Sequence, residues 1–458
     1  MSSPLLAILF AFALYGFAAA PCAAQNIPEP RREQLLNGLR IVLWQKPGAP
    51  DVLLKLRIHS GAVFDTAGKA GTMALLGDLL FPDQTTREYF TEELGGRLSV
   101  TTDADAINIT LAGRASEFER IVEQLRNALV NPPLTAANIA RLREARAKIV
   151  RETGISPMVI ADRALKTRLF GDYPLGRPSA GTPDTLARIE RGDLLTARQR
   201  FLNSNNATLI VIGGVDDRRA MRALRQLLGG WRQSEQIAPA TFRQPEAADA
   251  RTLIVDLPGA ETAEIRLAAR SLARSDRDYA AATLLALLAR DRWQTAFPQL
   301  GKSAFFVRNE AHVLPGVFVL GASLPAPLAA GALAAARSVV ASLATTPPSS
   351  AELERARTEA LAVFNKQLDQ PETLAELWLD VDTYKLDAIY DQLKRLNAVM
   401  PADVQRTAAR LFLGAPQAAV AVGSAVLLKP DFERAGRVEI FGAGDDRTKI
   451  KTVPDKKP

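Results

Sequence analysis

The sequence contains very little cysteine and histidine, with one Cys and two His among 458 residues. Disulfide frameworks, thiol catalysis and zinc sites built from Cys and His need more of these side chains. Basic and acidic residues are almost balanced, 57 against 50, and the formal charge of +7 is too small and too evenly spread to indicate nucleic-acid binding. A hydrophobic fraction of 47% excludes wholesale disorder, and the length predicts two or three domains.

Several catalytic signatures are also missing from the sequence. It has no Gly-x-Ser-x-Gly elbow, no phosphate-binding loop and no dinucleotide fingerprint after a strand. A serine nucleophile would have only His59 or His312 as its base, and neither has a supporting motif. Neither histidine has a second His or Cys at ligand spacing, so each is expected to be structural or on the surface.

The N-terminal segment has the pattern of a secretory signal peptide, residues 1–24. An apolar run, Leu5 to Phe17, precedes small residues, and the expected cleavage follows Ala24. The absence of Lys or Arg before the run departs from the usual pattern. Cleavage there would remove Cys22, leave no cysteine and favour a periplasmic location. No later segment is expected to span a bilayer.

The remaining chain contains the same order of parts twice, about two hundred residues apart. Each half has strands, a helix, a Pro-Pro turn with Ser or Thr, further helices and a closing strand. The matching pieces are Ile121 to Leu129 and Ala332 to Leu343, Ile139 to Arg151 and Leu353 to Leu368, and Ala207 to Gly213 and Ala418 to Gly423. The pattern indicates a duplicated domain.

The duplication predicts an α+β fold of two homologous domains, each a mostly antiparallel sheet with helices packed on one face. The boundaries are placed at residues 25–232 and 251–446. A polar, Pro- and Ala-rich linker, residues 233–250, joins the two domains. A basic tail, residues 447–458, follows the second domain.

An ordered set of short motifs resembles the insulinase-like (pitrilysin) zinc metallopeptidase family. The resemblance runs from about Arg32 to about Val426, and it includes the order of the strands and helices as well as the motifs. The motifs are Asn37-Gly38-Leu39, the Gly-rich turn and helix from Gly68 to Phe81, Glu93 to Leu98, Leu169 to Pro178, and Gly213 to Asp216.

The resemblance implies a zinc helix whose key residues are absent from this chain. The family holds Zn²⁺ with the two histidines of His-x-x-Glu-His, and the glutamate between them acts as general base. Aligned on Gly71 to Phe81, this sequence has Ala74, Gly77 and Asp78 at those three positions. Only Asp78 could contact a metal, so no metal site is expected in this chain.

The family's distant zinc ligand would fall on the helix from Leu142 to Glu152. Counting back from Ser156-Pro157 places Ile149 at that position, although the register could shift. Glu144 and Glu152 are the nearby carboxylates. A solvent-exposed helix face with i+4 partners, such as Glu144 with Lys148, is the favoured interpretation of both.

Bacterial members of the family also carry an Arg and a Tyr in the C-terminal domain. The corresponding positions here are Pro298 and Phe305, so the guanidinium and the hydroxyl are both missing. Arg292 or Arg308 is an alternative source of the guanidinium. Phe305 and Arg308 are the candidate substrate-binding residues, although core or cavity lining is the favoured interpretation of Phe305.

The resemblance implies a non-catalytic subunit that forms half of a clamshell around unfolded peptides. It needs no cofactor of its own, because zinc would sit in a catalytic partner bearing His-x-x-Glu-His. The alternatives are a homodimeric peptide-binding or scaffold pseudopeptidase, a structural subunit of a larger envelope complex, and a weak metallopeptidase. The last would use a relocated site built from Asp78 with Glu144 or Glu152.

Overall fold

The structure is a computed structural model that describes residues 29–235 and 242–442. The expected signal peptide, residues 1–24, and the expected basic tail, residues 447–458, lie outside the described residues. The expected linker, residues 233–250, is described in part.

The strands are short and fall into two groups along the chain. They are β1 Arg31–Gln34, β2 Arg40–Gln45, β3 Asp51–Ile58, β4 Arg97–Thr102, β5 Ile107–Arg114, β6 Ala207–Gly213, β7 Thr252–Asp256, β8 Thr262–Arg270, β9 Phe305–Glu310, β10 Val317–Pro325, β11 Gln417–Gly423 and β12 Val438–Gly442.

The helices follow a similar order in the two halves, except that two α-helices lie between β3 and β4 and one lies between β8 and β9. They are α1 Thr72–Asp78, α2 Gln84–Glu92, α3 Phe118–Val130, α4 Ala136–Thr153, α5 Pro157–Phe170, α6 Pro183–Ala187, α7 Arg191–Phe201, α8 Asp217–Leu228, α9 Tyr279–Ala296, α10 Ala329–Thr345, α11 Ser350–Asp369, α12 Pro371–Tyr384, α13 Ile389–Ala398, α14 Pro401–Phe412 and α15 Ala425–Ala435.

The strands form two six-stranded sheets. The first has the order β1-β2-β6-β3-β5-β4 and the second β12-β7-β11-β8-β10-β9. Only β2–β6 in the first sheet, and β7–β11 and β7–β12 in the second, are parallel pairs. The remaining pairs are antiparallel, which confirms the predicted α+β class with mostly antiparallel sheets.

Strands β2 to β6 of the first sheet correspond in order to β7 to β11 of the second, and their register aligns individual residues. The outer strands differ, because β1 is antiparallel to its neighbour β2 and β12 is parallel to its neighbour β7. Val52 of β3 lies opposite the closing Gly213 of β6, and Glu264 of β8 lies opposite Val422, one residue before the closing Gly423 of β11. Val52 therefore corresponds to Ala263. By the same count, Lys55 of β3 corresponds to Arg266 of β8.

Each sheet buries one face under helices of its own half. The first core includes Leu54, Leu56, Ile109 and Leu111 from the strands and Phe118, Leu125 and Leu224 from the helices. The second core combines Ile265, Leu267 and Leu320 with Leu285, Trp293 and Val340. In each half, the apolar residues that alternate along the strands therefore pack against the apolar faces of the helices, and the two halves have separate hydrophobic cores.

The opposite face of each sheet is covered by a helix from the other half, a detail that the sequence analysis did not anticipate. Helix α5 of the first half packs on β8 and β11, and helix α12 of the second half packs on β3 and β6. Both helices begin with Pro directly after a long helix, which suits the first turn of a new helix direction. We call these contacts the α5 crossing and the α12 crossing.

Helix α10 corrects one expectation about membrane segments. The stretch Ala326–Thr345 has a mean hydropathy of 1.5 and is long and apolar enough to cross a membrane. The expectation that no segment after the N-terminal run qualifies is therefore wrong by length and composition. Here Leu333, Val340 and Leu343 pack into the second core, as in a core helix.

Candidate functional site

The candidate site is built on α1, a short helix whose residues from Thr72 to Gly77 are buried. Its entry requires Gly71, which has φ of 95° and whose Cβ would come within 2.8 Å of Leu186. The Asp65 carboxylate accepts hydrogen bonds from the backbone N–H groups of Gly71 (2.7 Å) and Met73 (2.8 Å). Burial raises the pKa of Asp65 to about 7, against the opposing effect of these two bonds.

Ala74, Gly77 and Asp78 lie within this helix, beside strand β4. A Cβ on Gly77 would lie 2.8 Å from the hydroxyl oxygen of Thr102 on β4, so the absence of a side chain allows close packing. Ala74 is buried. Ala74 therefore places a methyl group where the resemblance implies a zinc ligand. Gly77 places a hydrogen atom where the resemblance implies the general base.

Asp78 is held by an arginine from helix α4. The Nε of Arg146 donates to Oδ2 of Asp78 at 2.7 Å, and its Nη2 donates to the carbonyl oxygen of Ala74 at 3.2 Å. Burial raises the pKa of Asp78, and Arg146, with a weaker contribution from Arg87, opposes the rise. A fixed guanidinium thus bridges the first and third positions of the degenerate motif.

These residues do not fit a zinc ion. The donor set on α1 is one carboxylate that already accepts from a guanidinium, whereas catalytic zinc sites use three protein ligands of His, Asp, Glu or Cys. Arg146 would also place a positive charge against the metal. Among residues 29–235 and 242–442, no group of three or more His, Cys, Asp and Glu could hold a metal.

The carboxylates proposed for a relocated site point to solvent on α4. Glu144 is 74% exposed and pairs with Arg151 at 2.7 Å, whereas the expected partner was Lys148. Glu152 is 63% exposed and lies 3.8 Å from Lys148. Ile149 is an exposed apolar residue at the position counted for the distant ligand. Among the described residues, neither Glu144 nor Glu152 forms a hydrogen bond or ion pair with Asp78, which is already paired with Arg146.

The second-half candidates differ widely in accessibility. Pro298 is exposed in the turn after α9. Phe305 is 5% exposed and its ring meets Trp293 edge-on at 4.8 Å, so this side chain belongs to the core and presents no surface to a substrate. Arg308 is 47% exposed, lies over the ring of Phe306 and approaches Asp162 at 3.5 Å.

Arg292 is not available as a substitute guanidinium. It donates from Nε to Glu352 at 2.9 Å and from Nη2 to the same carboxylate at 3.2 Å. This bidentate pair joins α9 to the first turn of α11. Of the two alternatives weighed for the missing arginine, Arg308 is the one whose side chain is accessible.

Both histidines occupy contacts between the two halves. The ring nitrogens of His59 lie 3.0 Å from the hydroxyl oxygens of Thr208 and of Thr383 on α12. His312 lies 2.8 Å from the buried carboxylate of Asp105, which also accepts from the hydroxyl of Tyr384 at 3.0 Å. The structure therefore places each imidazole in a polar contact within the protein.

Comparison with known proteins identifies the family that this geometry represents. The model described as insulinase (peptidase family M16) matches residues 40–183, and the model described as the peptidase M16 inactive domain matches residues 188–360. Together the two models cover more than half of the chain, which belongs to the insulinase-like, or M16, peptidase family.

Individual relatives agree with this assignment at low identity. The chain is 21% identical over 209 residues to an uncharacterized zinc protease of Rickettsia felis, which is 44% of this chain and 50% of that protein. It is 24% identical over 214 residues to mitochondrial cytochrome b-c1 complex subunit 1 of Mus musculus, 46% of this chain and 44% of that protein. The alignments thus span about half the length of the curated relatives.

Solved structures share the fold over nearly the whole chain. A protease from Helicobacter pylori superposes with a TM-score of 0.80 and 18% identity, covering 87% of this chain and all of that one. A peptidase M16 inactive domain from Pseudomonas fluorescens gives 0.76 and 17%, with 87% and 98% coverage. These similarities show the two-domain M16 fold.

Sequence reasoning located the degenerate motif but missed Arg146, the residue that completes the site. The available signal was the lone carboxylate of Asp78, because a buried acid needs a cationic or hydrogen-bonding partner. Several arginines lie on the helix from Leu142 to Glu152, and the sequence does not say which of them faces α1. The packing of α1 against α4 selects Arg146.

Proposed function

We propose that this chain is a non-catalytic M16 subunit that holds unfolded peptides for a zinc-bearing partner in the periplasm. The observation that carries the proposal is the Arg146 guanidinium, which bonds to Asp78 and to the Ala74 carbonyl. A positive charge stands where the family places a metal ion, and no general base stands beside it.

The peptide-holding part of the proposal is supported by strand β4. Among the described residues, this strand forms one edge of the first sheet and pairs with β5 alone. An edge strand offers unpaired backbone N–H and C=O groups, to which an extended peptide can add as a further strand. Helix α1 packs against β4, so a peptide bound there would pass beside Arg146 and Asp78.

The partner is proposed to be an M16 chain that contains His-x-x-Glu-His. Proteins named zinc protease are among the curated relatives, and such a chain would supply the zinc ligands and base that α1 lacks here. In that pairing this chain contributes chamber wall and peptide contacts, while the zinc belongs to the partner. Arg308 is more exposed than Arg292, the other arginine considered in the second half, and is the candidate to contact the bound peptide.

A native pull-down of the tagged chain from its own periplasm tests the pairing. The eluate is analysed by native mass spectrometry and assayed for peptidase activity with and without a chelator. Recovery of a second M16 chain with His-x-x-Glu-His and chelator-sensitive cleavage is the expected result. Chelator-sensitive turnover by the chain purified alone, at stoichiometric zinc, would refute the non-catalytic assignment.

A restoration series tests the zinc argument directly. The triple variant Ala74→His, Gly77→Glu and Asp78→His is expected to bind no stoichiometric zinc. Arg146 still places its positive charge at the site, and the distant ligand is still absent. Zinc content by elemental analysis is the measurement, and the wild-type chain is the control. Tight zinc binding by the triple variant would show that Glu144 or Glu152 reaches the ligand position, in favour of the relocated site.

A second candidate is a structural subunit of a larger envelope complex. The similarity to a protein named cytochrome b-c1 complex subunit 1 favours this alternative. The same pull-down separates the candidates, because a structural subunit would be recovered with a multi-protein complex that has no chelator-sensitive peptidase activity. Recovery of a lone, inactive homodimer would favour the stand-alone peptide-binding or scaffold role.

A further inference from the structure

Helix α8 carries a row of arginines on the outside of the first half. Arg218, Arg222 and Arg225 are exposed and spaced at i, i+4 and i+7, which places them on one face of the helix. Within the described residues their guanidinium groups have no ion-pair or hydrogen-bond partner. The adjacent Arg219, by contrast, points to α3 and is held by Glu119 at 2.5 Å. This row is therefore uncompensated charge.

The row continues across an open cleft to strand β1. Arg31, Arg218, Arg222 and Arg225 line this cleft of about 510 Å³, and Asp217 is the one acidic residue among the described residues of its lining. Arg31 is partly neutralised, because Glu33 lies 2.6 Å from it and Asp217 lies 3.7 Å from it. The three α8 arginines give the cleft its positive charge.

A fully exposed leucine lies at one end of the same surface. Leu36 is at the tip of the β1–β2 hairpin and has no cover from the described residues. The adjacent Asn37 amide donates to the carbonyl oxygens of Leu228 (2.9 Å) and Trp231 (3.0 Å), at the C-terminal end of α8. The hairpin tip is thus fixed beside the arginine row. We call Arg31, Leu36, Arg218, Arg222 and Arg225 the basic face.

The sequence before the basic face contains an apolar run at residues 5–17. Residues 18–30 separate this run from Arg31, and an extended chain of that length spans at most roughly 45 Å. Until the cleavage expected after Ala24, a membrane that receives the apolar run during export is therefore within reach of the basic face. An exposed apolar tip beside basic residues is also the combination used by proteins that lie on bilayer surfaces.

We propose that the basic face binds the surface of an anionic phospholipid bilayer. Phosphate headgroups would neutralise Arg218, Arg222 and Arg225, and Leu36 would enter the boundary between headgroups and acyl chains. The contact would orient the chain on the membrane with α8 facing the lipid. The inference is independent of the peptide-holding proposal, because α8 and β1 do not contribute to the α1–β4 site.

Vesicle flotation tests the proposal. The protein used is the chain as purified from the cell after export. Binding is measured on vesicles with 30 mol% phosphatidylglycerol in phosphatidylcholine and on phosphatidylcholine alone, at about 0.1 M salt. Each basic residue near an anionic surface changes binding about fivefold, so R218Q/R222Q/R225Q is expected to lose about a hundredfold. Leu36→Ser is expected to lose about two- to threefold, and added salt should weaken wild-type binding.

The matched control is R395Q/K429Q/R434Q, which removes three exposed, ion-paired positive charges from the second half. It has the same net charge as the α8 variant and is expected to keep wild-type binding. Equal losses in the two variants would overturn the proposal in favour of non-specific charge attraction. Absence of phosphatidylglycerol-dependent binding by the wild type would also overturn it.

Discussion

The α5 and α12 crossings have the same geometry but different chemistry. The α5 crossing joins 18 buried residues in one apolar cluster, whereas the corresponding cluster at the α12 crossing has 10. The smaller cluster is supplemented by charge, since Lys55 and Arg57 on β3 bond to Glu376 on α12, and Arg57 also bonds to Asp380 at 2.7 Å. Duplication thus preserved the exchange of helices while the forces that hold them diverged.

The comparison is sharpest at the aligned pair of basic residues. Arg266 on β8 is fully buried and donates to Asp162 on α5 at 2.7 Å. Lys55, its counterpart on β3, bonds to Glu376, and both acids are the fifth residue after the proline that opens their helix. Each crossing therefore contains an ion pair at the equivalent position. In the α5 crossing the basic residue, Arg266, is fully buried, whereas in the α12 crossing the acidic residue, Glu376, is shared between Lys55 and Arg57.

The largest effect is expected from separating the halves. Residues 25–232 and 251–446 expressed alone should each fail to fold, because each leaves one sheet face and one crossing helix uncovered. Each buried aliphatic side chain that loses its contacts costs about 2–5 kcal/mol. The sum over several such side chains exceeds the whole free energy of unfolding of a typical domain. Size-exclusion chromatography and near-UV circular dichroism measure this, with co-expression of both pieces as the control. A monomeric, cooperatively folded single half would contradict the argument.

The second expected effect distinguishes the two aligned ion pairs. Arg266→Met should lower the free energy of unfolding by roughly 3 kcal/mol, because Asp162 and Glu264 both lose a buried guanidinium. Lys55→Met should cost only about 1 kcal/mol, since Glu376 keeps Arg57 as a partner. Urea denaturation measures both variants. Equal losses would show that the two crossings do not differ as described.

The third prediction concerns acid sensitivity of the α12 crossing. Burial and the neighbouring Arg40, Arg57 and Lys385 hold the pKa of His59 well below its usual 6.5. At His59 the unfolded chain therefore binds up to one more proton than the folded chain below about pH 6.5, so the contribution of this residue to folding stability falls as the pH drops through that range. This contribution should approach a slope of about 1.4 kcal/mol per pH unit, whereas Asp65, with its pKa raised to about 7, contributes a slope of opposite sign.

The variant His59→Gln should remove the His59 contribution, so as the pH drops its stability should fall less steeply, or rise more steeply, than that of the wild type. Its stability is measured by urea denaturation between pH 5 and 7.5, beside the wild type. His312→Gln, which alters the other imidazole, is the matched control and should retain the slope. An unchanged slope in His59→Gln would assign the acid sensitivity to another group.

The smallest effect is expected at the two equivalent helix starts. Ser349 caps α11 in a reciprocal box with Glu352, whereas Thr135 caps α4 through a single bond to the Asn138 N–H at 3.2 Å. Ser349→Ala should cost about 1–1.5 kcal/mol and Thr135→Ala about 0.5–1 kcal/mol. Thermal unfolding compares the two. A larger loss of stability in Thr135→Ala than in Ser349→Ala would mean that the reciprocal bond from Glu352 adds nothing to the capping of α11 by Ser349.

Local patterns in the sequence predicted the duplicated order and the fold class. The Pro-Pro turns mark the starts of α4 and α11, and the apolar segments 207–213 and 418–423 become the closing strands β6 and β11. Periodicity and capping act over a few residues, so one sequence suffices to detect them.

The candidate site was predictable in part. The motif alignment selected Ala74, Gly77 and Asp78, and α1 does bring these three residues together. The same alignment could not show that Phe305 turns into the core while Arg308 stays exposed, because adjacent strand residues face opposite sides and local packing decides which side is buried. The roles assigned to these residues remain predictions.

The sequence alone determined that the chain lacks the His-x-x-Glu-His motif, since a motif does not depend on folding. Only the tertiary structure decided that Arg146 reaches Asp78, that α5 and α12 exchange sheets, and that three arginines of α8 have no ion-pair partner among the described residues. Each of these facts joins elements that are distant in sequence or depends on what their packing leaves exposed. Such contacts are set by the balance of burial and charge over the whole molecule, which no local pattern contains.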